Sequence, residues 1–199
     1  KMIPKIEFKY SWIYDQNWRE WIKLYPRFKG KYPDYKKIQK YIKKVEPLWR
    51  KQEKKIMVEL SKIIKLSWKD KEITCYVVGR CIPFSDPLTL GLYKNTNWFI
   101  DTLTHELIHQ LFSQKGEMER SKKAWDYFFK KYKKESRKTI IHIPLHAIHA
   151  NIYLKLFNEK RLKENIKWNR KFKDYRSSWE IVEKEGYENI IKEFRKRLR

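Results

Sequence analysis

The residues whose types and spacing say most about chemistry are His105-Glu106-Leu107-Ile108-His109. Residues four apart in a helix lie on one face, one turn apart, so both imidazoles can reach one metal ion. A carboxylate beside the first histidine can then hold a water at that metal and take its proton. Three of the five positions in such a pattern are fixed, so the neighbouring residues have to support it.

They do. Asn95, Thr96 and Asn97 offer N-cap oxygens, and Trp98, Phe99, Thr102, His105, Glu106, His109, Leu111 and Phe112 recur at helical spacing. The pattern predicts a helix over about 97–113, stopped by Gly116. Residues 87–93 alternate and read as a strand, and so do residues 72–78. The order is strand, strand, motif helix.

This arrangement resembles the zincin metallopeptidases, and the likeness covers residues 72–155, with small prokaryotic metallopeptidases as the nearer comparison. The resemblance implies that His105 and His109 bind a single catalytic zinc and that Glu106 is the general base. It also implies that the strand before the helix is a sheet edge pairing with an extended substrate, here Leu88, Thr89, Leu90, Gly91 and Leu92 within residues 87–94. A catalytic zinc takes three protein ligands and keeps one open position. The metzincin spacing is excluded, because Phe112 and Lys115 stand where it needs glycine and histidine. The N-E-x-x-S/A-D run of gluzincins is absent as well.

The chain offers instead His142-Ile-Pro-Leu-His146-Ala-Ile-His149-Ala-Asn-Ile-Tyr153, so its five histidines fall in two short clusters. Pro144 suits the first turn of a helix, and that start puts His146, His149 and Tyr153 on one face with His142 outside the regular turns. His146 is the expected third ligand and His149 the alternate. The histidine that does not bind metal, or His142, could orient a ligand or polarise a carbonyl, and Tyr153 could donate to an oxyanion. Tyr153 reads equally as a core residue. Asp101, one turn before His105, reads either as an acceptor for its ring nitrogen or as an acid favoured by the helix dipole.

Around these clusters the chain reads as mostly helical. Residues 5–12 suggest a first strand, with Ile6, Phe8 and Tyr10 on one face, followed by a helix over 15–24 capped by Asp15 and a basic loop over 27–32. Helices follow over 34–45 and 47–66, with Pro47 starting the second or kinking one continuous helix. Further helices are expected over 115–137, from Pro144 to about 157, over 161–168, and over 177–198 with a break at Gly186. The expected fold is therefore a helix-rich α+β, zincin-like single domain over 1–199, with a small sheet preceding the H-E-x-x-H helix. Its parts are 1–70 (strand and backing helices), 71–157 (catalytic core) and 158–199 (C-terminal helices).

Composition bounds the rest. With 199 residues, 41% hydrophobic and 16% aromatic, a sizeable core is available. No apolar run is long enough to span a membrane, and the N-terminal residues lack a signal peptide's apolar stretch, so a cytoplasmic protein is expected. Cys75 and Cys81 do not form a C-x-x-C knuckle and are expected to be reduced. The net charge of +24 reads first as solvated lysine-rich helix faces, yet a field of that size draws polyanions. The expected function is zinc-dependent hydrolysis of peptide or protein substrates. The alternatives are a basic, nucleic-acid-associated protein with a zinc site, which by analogy with SprT-like zincins would act on DNA-bound proteins, and a zinc hydrolase of another bond.

Overall fold

A computed structural model of the chain describes residues 2–25, 28 and 30–198. It is a helix-rich α+β fold with a small mixed sheet before the motif helix, as the patterning predicts. The strands are β1 (Lys5–Lys9), β2 (Glu72–Val77), β3 (Phe84–Ser85) and β4 (Leu88–Leu90). The helices are α1 (Trp12–Trp21), α2 (Tyr35–Arg50), α3 (Glu53–Ile64), α4 (Thr96–Ser113), α5 (Glu117–Lys131), α6 (Arg137–Leu156), α7 (Glu159–Asn169), α8 (Lys173–Glu185) and α9 (Tyr187–Arg195). The chain forms two compact units, Lys1–Lys54 with Lys69–Gln110, and Lys55–Trp68 with Leu111–Arg199. The limits fall within α3, between α3 and β2, and within α4.

The first unit holds the sheet, in the order β1-β2-β4-β3. β2 runs parallel to both β1 and β4, and β3 returns antiparallel to β4. Ile73, Cys75 and Val77 alternate into the core, the period-two signature of a half-buried strand. The expected substrate edge at Leu88–Leu92 is overturned. Leu88, Thr89 and Leu90 are buried and β4 lies between β2 and β3, while Gly91 and Leu92 fall beyond the strand. The hairpin turn at Asp86-Pro87 folds β3 along the flank of β4 away from β2. The edges are therefore β1 and β3. At β1 the backbone N–H of Ile6 donates to Glu53 Oε1 at 2.7 Å, and the same oxygen accepts from Trp49 Nε1 and Arg50, so a side chain covers part of that edge.

Asp15 does not cap its helix. Ser11 is the N-cap and accepts from Tyr14 N, which moves the start of α1 three residues earlier. Asp15 is instead 1% exposed and accepts from Tyr32 Oη at 2.7 Å, Gly79 N at 2.8 Å and Tyr10 Oη at 3.3 Å. Gly79 is required here, since a Cβ would sit 2.4 Å from the Tyr32 ring. The predicted basic loop falls partly on Pro26, Arg27 and Lys29, which lie outside the described residues. Pro47 neither starts nor ends a helix but sits exposed inside α2, and the chain breaks at Lys51 and Gln52 instead.

In the second unit α6 packs chiefly against α8 and α9. It is buried nearly all round from Thr139 to Ala150, as a central helix must be. Gly116 at φ +80° turns the chain between α4 and α5, and Gly186 at φ +83° separates α8 from α9, as expected.

Replacing Asp15 with alanine would strand the N–H of Gly79 without its buried acceptor and leave the Tyr32 hydroxyl only its longer contacts to the backbone carbonyls of positions 15 and 80, at 3.3 and 3.5 Å. At about 1–3 kcal/mol for each buried group left unsatisfied, Asp15→Ala should lower the urea midpoint clearly. Tyr10→Phe, which removes only a long donor contact, should shift it by less than about 1 kcal/mol.

Candidate metal centre

The motif helix α4 begins where Asn95 Oδ1 accepts from Asn97 N at 2.8 Å. Its apolar residues Phe99, Ile100, Leu103, Leu107 and Ile108 are all buried, which orients the helix and leaves His105 and His109 partly accessible. The two imidazoles are 5.2 Å apart between centroids and nearly perpendicular, as i, i+4 spacing requires. Glu106 is only 7% exposed, and burial raises its carboxyl from the usual range to about 8. Asp101 is buried one turn earlier, at 4% exposure. Gln110, directly after His109, donates its side-chain amide to the carbonyl of Ser85, which ties the motif helix to strand β3.

One ring nitrogen from each of His105, His109 and His142 lies within 4.8 Å of the others, an arrangement that could hold a metal ion. Imidazole nitrogens about 2.0–2.1 Å from a tetrahedral zinc stand roughly 3.4 Å apart. Among the described residues this is the one such group.

The third member differs from expectation, since it is His142 and not His146 or His149. The reason is where α6 begins. Ser136 caps the helix by accepting from Thr139 N at 3.0 Å, so α6 starts seven residues before Pro144 and carries Pro144 inside it. His142 therefore sits within the helix, one turn before His146 and on the same face. Its Nδ1 lies 2.7 Å from the carbonyl of Lys138. A carbonyl only accepts, so Nδ1 carries the proton and Nε2 presents its lone pair, the tautomer a metal ligand needs. Burial also holds the ring neutral, with its pKa lowered to about 4.

His146 is held by α8. Its ring stacks on Trp179 at 4.4 Å and 10°, and its Nδ1 is 2.6 Å from Ser178 Oγ, which donates onward to the Tyr175 carbonyl. Tyr175 also lies 4.5 Å from the His142 ring, so one helix supports both histidines. His149 is 1% exposed, with its pKa lowered to about 3 chiefly by burial. Tyr153 is fully buried against His149 and Phe157. These two residues are core members of α6 rather than part of the three-histidine group. Cys75 and Cys81 are buried free thiols, both held protonated by burial.

Tyr175, Ser178, Trp179 and Gln110 went unread as site residues in the sequence. Nothing local marks the first three, which lie some thirty residues from the histidines they support. The position of His142 was readable from the capping serine at 136.

Two outcomes are expected. In zinc titrations followed by metal analysis, His142→Ala should lose stoichiometric binding. His146→Ala, shown to be folded by circular dichroism, should keep it within about tenfold, the lower end of the loss typical for a supporting partner. The second concerns pH in metal-free protein. His142 and His149 bind fewer protons when folded than the usual pKa of 6.5 implies, so their contribution is lost as pH falls below 6.5. Glu106 binds more when folded, so its contribution is lost as pH rises from 4.5 through about 8. Above pH 6.5 only the Glu106 effect remains of these three. The melting temperature of the chelated protein should drop between pH 6.5 and 8.5, and Glu106→Gln should flatten that drop.

No family model, no curated protein and no solved structure matches this chain significantly, so any reading of function rests on the site itself.

Proposed function

We propose that the protein is a metallopeptidase that hydrolyses peptide bonds, with zinc held by His105, His109 and His142. The observation carrying this reading is the grouping of three imidazole nitrogens, two of them flanking a helix turn whose buried carboxyl is unusually basic. Zinc, when bound, would supply a Lewis acid for a peptide carbonyl and acidify water at neutral pH. His142 suits a ligand role because its other ring nitrogen is anchored on Lys138.

Glu106 is the proton carrier. It takes the proton released as water attacks the carbonyl carbon and returns it to the amine nitrogen as the C–N bond breaks. Its burial makes the carboxylate a stronger base than one in water, and a cation nearby favours its ionised form. Peptide substrate would pair with β3, Phe84–Ser85, whose outer side is a sheet edge. Gln110 holds that strand to the turn bearing His109, so the edge and the proton carrier keep a constant relation.

Zinc content and casein cleavage test this together. Glu106→Gln should keep zinc and lose roughly 10²–10⁴-fold in turnover, the usual contribution of a general base. His142→Ala should lose both. Native protein that binds zinc but cleaves neither casein nor a peptide library would overturn the peptidase reading and point to another bond.

A further inference from the structure

The chain's positive charge is not spread evenly over its helices. On α2, Lys36, Lys37, Lys40, Lys43 and Lys44 are all exposed, and Lys51 follows at its C-terminus. At 100° per residue these six fall within an arc of about 120°, extending along roughly 22 Å of axis. Ile38, Ile42, Val45 and Trp49 occupy the opposite face and are buried. Among the described residues none of these lysines has an ion-pair partner, whereas Glu46, the one acid within α2, is taken by Arg50. Several other helices carry more acids among their basic residues, and some of these pair. Lys163 pairs with Glu159 on α7, Lys131 with Glu185, Arg170 with Glu183, and Arg197 with Glu193. On α5 the exposed lysines are interspersed with Glu119 and Asp126.

We infer that this unpaired lysine face of α2 is a nucleic-acid-binding surface that takes the phosphate backbone of a duplex without reading its sequence. Three features select that partner. A duplex carries one charge per about 1.7 Å of axis, so a rigid row of point charges some 22 Å long meets many phosphates at once. No aromatic ring stands within the lysine arc to stack on unpaired bases, because Tyr41 contacts Phe99 and Tyr93 and the exposed Tyr35 lies outside the arc. A membrane surface is disfavoured because an interfacial helix inserts an apolar face, and that of α2, Ile38, Ile42, Val45 and Trp49, is already buried. This inference is independent of the peptidase reading, since it involves none of the metal-site residues.

The test is fluorescence anisotropy of a mixed-sequence 20-base-pair duplex titrated with the full-length protein across 50–200 mM NaCl. Two variants of equal charge are compared, and glutamine keeps helix propensity in both. One replaces Lys36, Lys37, Lys40, Lys43 and Lys44, and the other replaces Lys122, Lys123, Lys130, Lys160 and Lys167, which are equally exposed on α5 and α7. Native protein should bind with a steep salt slope. The α2 variant should lower that slope by about 4, at 0.9 per phosphate contact, and weaken binding at 100 mM NaCl at least 100-fold. The second variant should change affinity by less than about 3-fold. Equal losses in both variants would overturn the inference in favour of diffuse charge. It also fails if the duplex does not bind at 50 mM NaCl, or if phosphatidylserine vesicles bind through the α2 lysines while the duplex does not.

Discussion

The withdrawal of ionisable groups from water, with their lone pairs kept available, is the constraint on which this molecule depends. A buried imidazole can stay neutral at little cost if one nitrogen donates to a protein acceptor, and the other is then aimed by the same bond. His142 meets this condition through the Lys138 carbonyl of its own helix, one turn back. Glu106 has no such anchor among the described residues, and its carboxyl responds to burial by becoming more basic. Histidine and carboxyl are thus displaced in opposite directions, each toward its neutral form.

Two helices with internal prolines bear on this. Pro47 in α2 is exposed and Pro144 in α6 is buried, and each deletes one backbone hydrogen bond. In α6 the loss is outweighed by packing on nearly every side, with α8 supplying Tyr175, Ser178 and Trp179 against His142 and His146. Ser136 caps the start of α6, and burial by tertiary neighbours lets the helix continue through Pro144. The outcome reaches the chemistry directly, because a helix starting at Arg137 instead of Pro144 brings His142 into register with His146.

Charge follows a separate logic. Some cations pair with acids a turn away or on a neighbouring helix, which neutralises them locally and contributes little to stability. The α2 face escapes that matching, and its positive field persists for that reason.

The amino-acid order by itself determined the motif helix, the two strands before it, the small sheet in a helical chain, and the breaks at Gly116 and Gly186, because periodicity and glycine conformation are local. It also confined the metal-binding candidates to five histidines. Three decisions belonged to tertiary structure. The return of β3 onto β4 removed the expected edge, since pairing is a long-range choice that alternation along one strand cannot express. Asp15 left the role of cap for a buried set of donors from Tyr32 and Gly79, whose approach is invisible along the chain. His142 replaced His146 as the third member of the group because α8 claimed His146 for stacking, and because packing let a proline lie within a helix that sequence rules would begin there.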